Sequence, residues 1–267
     1  MSTERIENTF KKLKERKRAA IIPFIMGYDP DAKTSARILA ALPEAGADII
    51  EIGMAFSDPM ADGKTIEEAG IRALKAGASV SSIIDMVSEF RANNNTTPII
   101  LMGYFNPIYK YGTEKFCKDA VGAGVDGVII VDLPPEEEAE IRPYLDSTGL
   151  HLIRLIAPTS GNDRIKTLSA SAGGFIYYIS ITGITGTSSA NSKELKTRIE
   201  NLKAHIKLPV AVGFGIKTAE QVKEVADFSD AVVVGSALVD KINKASDEDK
   251  VNVAVNFIKD LSFGLGK

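Results

Sequence analysis

Two acidic residues stand eleven positions apart in the segment ADIIEIGMAFSDPMADG, which covers residues 47–63. Glu51 interrupts a run of isoleucines, whereas Asp62 precedes a glycine in a loop-like stretch. A charged group removed from water without a partner is strongly destabilising or becomes neutral. Glu51 therefore needs either a structural partner or a chemical role. Two carboxylates that meet at one site are suited to general acid and base catalysis.

The elements that must position these residues are short apolar runs that alternate with amphipathic segments, a pattern typical of parallel strands covered by helices. Eight strands are predicted, at residues 19–27, 47–53, 97–104, 127–132, 151–158, 175–180, 209–215 and 231–237. Eight βα units favour a closed (β/α)8 TIM barrel over an open sheet. We expect one barrel domain over residues 1–267. It should carry an extra N-terminal helix, with Ile6, Phe10 and Leu13 as its apolar stripe, and an extra helix after the second strand.

The direction of the Glu51 side chain follows from the alternation along the second strand. Ile49, Glu51 and Gly53 share one side, so Glu51 is expected to project into the barrel near the C-terminal ends of the strands. Spacing alone leaves two roles open. One is catalysis, and the other is a buried ion pair, with Arg154 on the fifth strand as the candidate partner.

Four further polar residues lie at or near strand ends and allow a plain structural role beside a functional one. Asp62 also suits an ordinary turn, because Asp before Gly is common in loops. Asp132 ends the fourth strand and is expected to cap the next helix. Tyr104 and Tyr177 present a polar tip that serves packing or a binding site equally well.

Glycines follow the last two predicted strands. Gly213 and Gly215 come directly after the seventh strand, and Gly235 and Ser236 follow the eighth and open a short helix. Glycines let backbone N–H groups approach a ligand, and a helix N-terminus favours an anion. Loops in these two places hold a phosphate group in many barrels. The sequence therefore predicts a phosphate site here.

Composition excludes several classes of function. The formal charge is −3 with mixed signs along the chain, so no basic surface for nucleic acid is predicted. The single cysteine, Cys117, forms no disulfide framework and fits a reducing cytoplasm. No segment resembles a membrane span or a signal peptide. No metal site is predicted, because His151 and His205 do not converge, and no predicted strand carries a lysine for Schiff-base chemistry.

The segment EIGMAFSDPMADGKTIEEAG at residues 51–70 resembles the hallmark run of the tryptophan synthase alpha subunit family. The resemblance continues through IPFIMGYDPD at 22–31, VDLPPEE at 131–137, SITGITG at 180–186, VGFGI at 212–216 and VGSALV at 234–239. It covers essentially the whole chain in order. It implies a cytoplasmic enzyme that cleaves indole-3-glycerol phosphate into indole and glyceraldehyde 3-phosphate without a cofactor of its own.

The resemblance also implies roles for individual residues. Glu51 and Asp62 match the catalytic pair, with Asp62 assigned to the indole nitrogen and Glu51 to proton transfer between the hydroxyl and the ring carbon. Phe24 and Tyr177 are expected to bind the substrate near its indole and glycerol parts. Thr185 and Gly186, in the family's mobile loop after the sixth strand, are also expected to bind it. Gly215, Gly235 and Ser236 are expected to surround the phosphate. Tyr104 joins these as a candidate substrate contact.

The family's alpha subunit joins a beta subunit that carries pyridoxal phosphate, usually as an α2β2 complex. Asp58 matches a contact to that partner, and Ala55 lies in the same loop. Three positions depart from the family pattern: Ala55 and Lys64 replace common prolines, and Glu67 replaces a typical glutamine. Because proline fixes backbone angles, the loop at residues 53–65 is expected to be less restrained in the free subunit.

Three other readings remain open from the sequence. The chain would serve as a free-standing lyase that releases indole if it were highly active without a beta chain. It would be a different barrel enzyme, such as a ring-opening isomerase, if another phosphorylated substrate were turned over. It would be mainly an allosteric partner if the altered loop had lost catalysis, although the retained Glu51 and Asp62 argue against that.

Overall fold

The computed structural model describes residues 4–179, 189–213 and 215–265. These residues form nine parallel strands in the order β5-β4-β3-β2-β1-β9-β8-β7-β6. Their bounds are β1 Ala20–Met26, β2 Ile50–Gly53, β3 Ile99–Gly103, β4 Gly127–Ile130, β5 His151–Leu152, β6 Arg154–Ile156, β7 Ile176–Ile179, β8 Val210–Gly213 and β9 Ala231–Val234. The predicted TIM barrel is confirmed.

The nine strands correspond to the eight predicted ones, because β5 and β6 are two parts of the fifth. Ile153 lies between them, and its N–H still donates to the carbonyl of Val128 at 2.9 Å. The first part pairs with β4 and the second with β7. This one segment therefore joins the two edges of the sheet and closes the barrel.

Helices surround the barrel, and both predicted extra helices are present. The described residues form α1 Arg5–Glu15, α2 Ala32–Ala41, α3 Lys64–Lys75, α4 Val80–Arg91, α5 Phe105–Tyr111, α6 Thr113–Ala123, α7 Arg142–Thr148, α8 Asn162–Ala170, α9 Ser189–His205, α10 Ala219–Ala226, α11 Ser236–Lys244 and α12 Lys250–Phe263. A 3-10 helix, Pro135–Glu140, precedes α7 where the sequence suggests one continuous helix. Helices α5 and α12 were not predicted from the sequence. In the described part of the chain, no helix is long and apolar enough to cross a bilayer.

Helix α1 closes the N-terminal end of the barrel. Its buried side chains are Ile6, Phe10 and Leu13, which confirms the predicted stripe. They pack in one cluster with the residues that point into the barrel, among them Ile49. The rings of Phe10 and Phe175 lie 5.9 Å apart between centroids. The substrate side of the barrel is therefore expected at the opposite end.

An aspartate stands just before three of the strands and fixes the start of a neighbouring strand. Each carboxylate accepts a hydrogen bond of 2.8 Å from a backbone N–H, in the pairs Asp48 with Ile21, Asp126 with Ile99, and Asp230 with Val210. These buried or half-buried N–H groups would otherwise lack a partner at the end of the sheet. The repeated Asp therefore sets strand register at the N-terminal end.

Asp126 is the most enclosed of the three, with a side chain that is 0% exposed. It pairs with Arg91 at 2.8 Å and with Arg5 of α1 at 2.9 Å. Burial raises the pKa of the Asp126 carboxyl, while the Ile99 N–H and the two guanidinium groups oppose that rise. Arg91 also donates to the carbonyl of Thr97 at 2.7 Å. One carboxylate thus ties α1 and α4 to the barrel.

We predict that Asp126→Ala lowers the free energy of unfolding by about 3–5 kcal/mol, because it leaves the buried Arg91 charge without its counter-ion. Urea denaturation followed by circular dichroism measures the change. Asp146→Ala is the matched control, since Asp146 lies on the exposed side of α7 with a side chain 65% exposed. Equal stability of the two variants would contradict the role given to Asp126.

Candidate active site

A cavity of about 740 Å³ opens at the C-terminal ends of the strands. Eight of the site residues predicted from the sequence line this cavity. They are Phe24, Glu51, Asp62, Tyr104, Tyr177, Gly215, Gly235 and Ser236. Ala55 and Asp58, which were assigned to the partner interface, do not line it. Thr185 and Gly186 lie outside the described residues. The fold therefore brings both carboxylates and the predicted phosphate loops to one site.

Glu51 lies on β2 opposite Phe24 of β1 and points into the barrel, on the same side as Ile49. Its side chain is completely buried, and no residue that the structure describes offers a hydrogen bond to either carboxyl oxygen. Burial alone raises the pKa of Glu51 to about 8. The carboxyl is therefore mostly protonated at neutral pH, and it can give up a proton inside the cavity.

The alternative of a Glu51–Arg154 ion pair is wrong. The Arg154 guanidinium donates to the carbonyl of Leu133 at 2.7 Å and pairs with Glu138 of the 3-10 helix. Its Nε also donates to Ser171 Oγ at 3.2 Å. Because the side chains at 153 and 154 point to opposite sides of the strand, Arg154 faces the helical layer and not the barrel interior. Arg154 is therefore not the partner of Glu51.

Asp62 is held over the cavity by Tyr104. The Tyr104 hydroxyl donates to Asp62 Oδ1 at 3.0 Å and accepts from the Ala61 N–H at 3.1 Å. The phenol is buried, and its ring lies 5.5 Å from that of Phe56. Burial raises the pKa of Asp62, the Tyr104 hydrogen bond opposes the rise, and the charge of Glu67 adds to it. Tyr104 is thus a support for Asp62 as well as part of the cavity wall.

Two glycines leave room for the aromatic side chains of the site. A Cβ on Gly53 would stand 2.6 Å from the ring of Phe24, and one on Gly213 would stand 2.6 Å from the hydroxyl of Tyr177. Both distances are too short for real contacts, so any larger residue at either position would force the aromatic side chain to move. Burial raises the pKa of Tyr177, and the nearby Glu51 charge adds to the effect. Tyr177 and Glu51 are therefore neighbours in the cavity.

The predicted phosphate end is built by backbone. Gly235 is the N-cap of α11, and Ser236 is the first residue of that helix. The backbone N–H groups in the first turn of a helix have no partner inside the helix and attract anions. Gly215 adopts a φ of +66°, a left-handed conformation that favours glycine. These residues line the same cavity as Asp62.

The loop between β2 and α3 carries the residues predicted to meet a partner. Asp58 is exposed, and its carboxylate accepts from the Ser57 hydroxyl at 2.6 Å. Met60 is 84% exposed. Ala55 is half-buried and packs on the cluster that contains Phe24, so Asp58 is the more accessible of the two residues predicted at the partner interface.

Asp132 requires a correction. Its carboxylate accepts from the N–H of Phe105 at 2.8 Å, so it caps α5 and not the next helix in the sequence. The prediction failed because α5 was not recognised. The next helix, which starts at Pro135, has no side-chain cap.

Sequence reasoning also missed part of the apolar wall, which includes Met26, Met102 and Val131. The signal was available. Met26 lies two residues after Phe24, Met102 two after the inward-facing Ile100, and Val131 two after Ile129, so the strand period of two predicts all three. Among the residues that the structure describes, no cluster of three or more His, Cys, Asp or Glu side chains is arranged for a metal ion.

Comparisons with known proteins agree with this geometry. A family model described as tryptophan synthase alpha chain matches residues 10–261. The tryptophan synthase alpha chain of Acidiphilium cryptum (strain JF-5) is 51% identical over 245 residues, which cover 92% of this chain and 89% of that protein. The crystal structure of tryptophan synthase subunit alpha from Legionella pneumophila str. Paris superposes with a TM-score of 0.92 at 38% identity and covers 98% of both chains.

A chain of tryptophan synthase from M. tuberculosis in its aminoacrylate-bound form superposes with a TM-score of 0.87 at 30% identity, over 98% of this chain and 99% of that one. The family model and the relatives span nearly the whole molecule, and the family model includes both carboxylates and both predicted phosphate loops. The chain belongs to the tryptophan synthase alpha chain family, whose members are lyases that cleave indole-3-glycerol phosphate in the biosynthesis of tryptophan.

Proposed function

We propose that Glu51 and Asp62 carry out the family's reaction in this chain, the retro-aldol cleavage of indole-3-glycerol phosphate into indole and glyceraldehyde 3-phosphate. The observation that carries this assignment is the Glu51 carboxyl, which is fully buried, has no hydrogen-bond partner among the described residues, and borders a large cavity. A group so costly to bury fits a chemical role better than a structural one.

The two carboxyl groups have complementary proton states. The Glu51 carboxyl, protonated, donates its proton to the ring carbon that holds the glycerol chain, while the Asp62 carboxylate accepts the indole N–H proton. The Glu51 carboxylate then accepts the proton of the adjacent hydroxyl, the carbon–carbon bond breaks to leave an aldehyde, and the bonding electrons return to the ring. The nitrogen recovers its proton from Asp62. Both side chains end as they began, so the step needs no cofactor.

The rest of the cavity orients the substrate for these transfers. The phosphate is placed at the N-terminus of α11, beside Gly215, Gly235 and Ser236, where backbone N–H groups and the helix dipole favour an anion. The indole ring is placed against Phe24, with Tyr177 near the glycerol part. Thr185 and Gly186, assigned to substrate binding by the family resemblance, stay a prediction.

Membership in the alpha chain family implies a beta-subunit partner. We propose an α2β2 complex in which pyridoxal phosphate belongs to the beta subunit alone. The exposed Asp58 and Met60 of the loop after β2 support docking on this side of the barrel. Because the same loop carries Asp62, a partner that contacts it can change the position of the base.

We also propose that the enzyme works in the cytoplasm. Cys117 is a free, buried thiol, and burial raises its pKa to about 12. Such a thiol is unreactive and fits a reducing compartment.

We predict that Glu51→Gln abolishes cleavage while the fold persists. The amide has nearly the same shape but cannot give and retake the proton, so kcat/KM should fall at least about 100-fold. Release of indole from indole-3-glycerol phosphate measures the activity, and far-ultraviolet circular dichroism checks the fold. Glu224→Gln, an exposed position on α10, is the matched control. Near-full activity of Glu51→Gln would contradict the assignment, and an unfolded variant would indicate a structural role.

Stability should report the proton state of Glu51 independently. Its pKa of about 8 in the fold lies above the ordinary value of 4.5, so between these values the native state holds a proton that the unfolded chain releases. The free energy of unfolding therefore falls as pH rises. We compare the free energy of unfolding of the wild type with that of Glu51→Gln. We predict that the wild-type value minus the variant value decreases by about 1.4 kcal/mol per pH unit between pH 5 and 8. Urea titrations across this range measure it, and a constant difference would show that Glu51 is ionised throughout.

Partner dependence separates an alpha subunit from a free-standing lyase. We predict slow indole release by the chain alone and a rise when a tryptophan synthase beta subunit is titrated in, with an α2β2 mass by light scattering. Asp58→Ala should weaken the titration without changing the activity of the free chain. Asp163→Ala, on the exposed first turn of α8, is the control. Equal turnover with and without the beta subunit would favour the free-standing enzyme.

A further inference from the structure

A second carboxylate stands beside Asp62 at the start of α3. Gly63 is the N-cap of this helix, so Asp62 is the residue before the cap and Glu67 is the fourth residue of the helix. The Glu67 N–H donates to the Gly63 carbonyl at 3.0 Å, which confirms a regular first turn. Residues at these two positions often form an apolar pair that packs across the helix start. Here both are acidic.

The charged groups around Asp62 leave this repulsion uncompensated. From the end of β3, Tyr104 contributes a neutral hydroxyl. From α3, Lys64 also lines the cavity, but its side chain is 87% exposed and its ammonium stands 3.8 Å from the Glu68 carboxylate. Across the cavity, Glu51 is held mostly neutral by its raised pKa of about 8. Within the part of the chain that the structure describes, no cation pairs with Glu67, which is exposed.

We propose that Glu67 acts through Asp62, and that its negative charge makes the Asp62 carboxylate a stronger proton acceptor for the indole nitrogen. Glu67 touches no reacting atom, so it is a positioning residue for the reaction. The inference rests on the proposed role of Asp62. It gives a function to one of the three departures from the family pattern, the replacement of glutamine by glutamate. The burial of Asp62, the position of the two residues on the helix and the effect of the Glu67 charge on the pKa of Asp62 all support it.

The effect of Glu67 on Asp62 should change the acid side of the profile of kcat/KM against pH. Asp62 must be ionised to accept a proton, and the profile of kcat/KM reports the free enzyme. In Glu67→Gln the acid limb should move to lower pH. On that limb the variant should be about 1.5- to 2-fold more active than the wild type. This factor corresponds to the repulsion energy expected between like charges that are neighbours on a helix surface. On the plateau it should be no more active, because its base is weaker. Added salt should shrink the difference.

Glu68→Gln is the matched control, because it removes the same charge from the next position of α3 and leaves the pair at Asp62 and Glu67 intact. A carbon-13 titration of the Asp62 carboxyl in the free protein gives a second reading that needs no turnover. We expect both the profile and this titration to move in Glu67→Gln and neither to move in Glu68→Gln. If the Glu67→Gln curves coincide with the Glu68→Gln curves, the inference is overturned.

The role of Asp62 and the role of Glu67 are tested by different outcomes. If Asp62→Asn keeps its activity and its acid limb, Asp62 is not the base, and the proposed mechanism is wrong at that residue. The carbon-13 titration would still show whether Glu67 controls the proton affinity of Asp62. If instead Asp62→Asn is inactive and the titration does not respond to Glu67, the mechanism stands and the role of Glu67 is removed.

Discussion

The site depends on one unfavourable interaction, the burial of the Glu51 carboxyl in a cavity where none of the residues that the structure describes offers it a hydrogen bond. The other deeply buried charges of the barrel are treated differently: Asp126 has two guanidinium groups and a backbone N–H, and Arg154 has a carbonyl and a carboxylate. These two charges, one at the N-terminal end and one in the outer layer, are thus satisfied by partners. The stability that these paired charges give to the barrel offsets the cost of one unpaired carboxyl at the C-terminal end. That carboxyl stays protonated, which is the state that a proton donor at neutral pH needs.

The architecture was predictable because it depends on patterns that repeat. Apolar runs with helical segments between them indicate eight strands, and the period of two along β2 places Glu51 inside, where the structure has it. The failures are local. The break at Ile153 arises from barrel closure, where one segment pairs with β4 and β7 in turn. Helix α5 was missed because its N-terminus is capped from another loop, by Asp132, which sequence-local cap signals do not reveal.

The site was predictable to a lesser degree. Its residue types follow from strand parity and from the family motif, but the contact between Tyr104 and Asp62 joins residues 42 positions apart through a loop whose path no periodicity fixes. The same holds for the close approach of Phe24 to Gly53, which depends on the register of β1 against β2. Sequence alone kept the Glu51–Arg154 pair open, since whether Arg154 faces inward depends on the strand's interrupted path around residue 153.

The two proposed catalytic groups differ in how firmly they are held, and this difference bears on regulation. Glu51 belongs to a central strand with paired neighbours on both sides, so its position is as rigid as the barrel. Asp62 lies on a connecting loop and is fixed through the Tyr104 hydroxyl. The departure Ala55 lies on the same loop, and the departure Lys64 begins α3 directly after it. A partner that contacts Asp58 therefore acts on the proton acceptor and leaves the donor in place. Under the proposed mechanism, control of this enzyme by a beta subunit reduces to control of where Asp62 stands relative to a fixed Glu51.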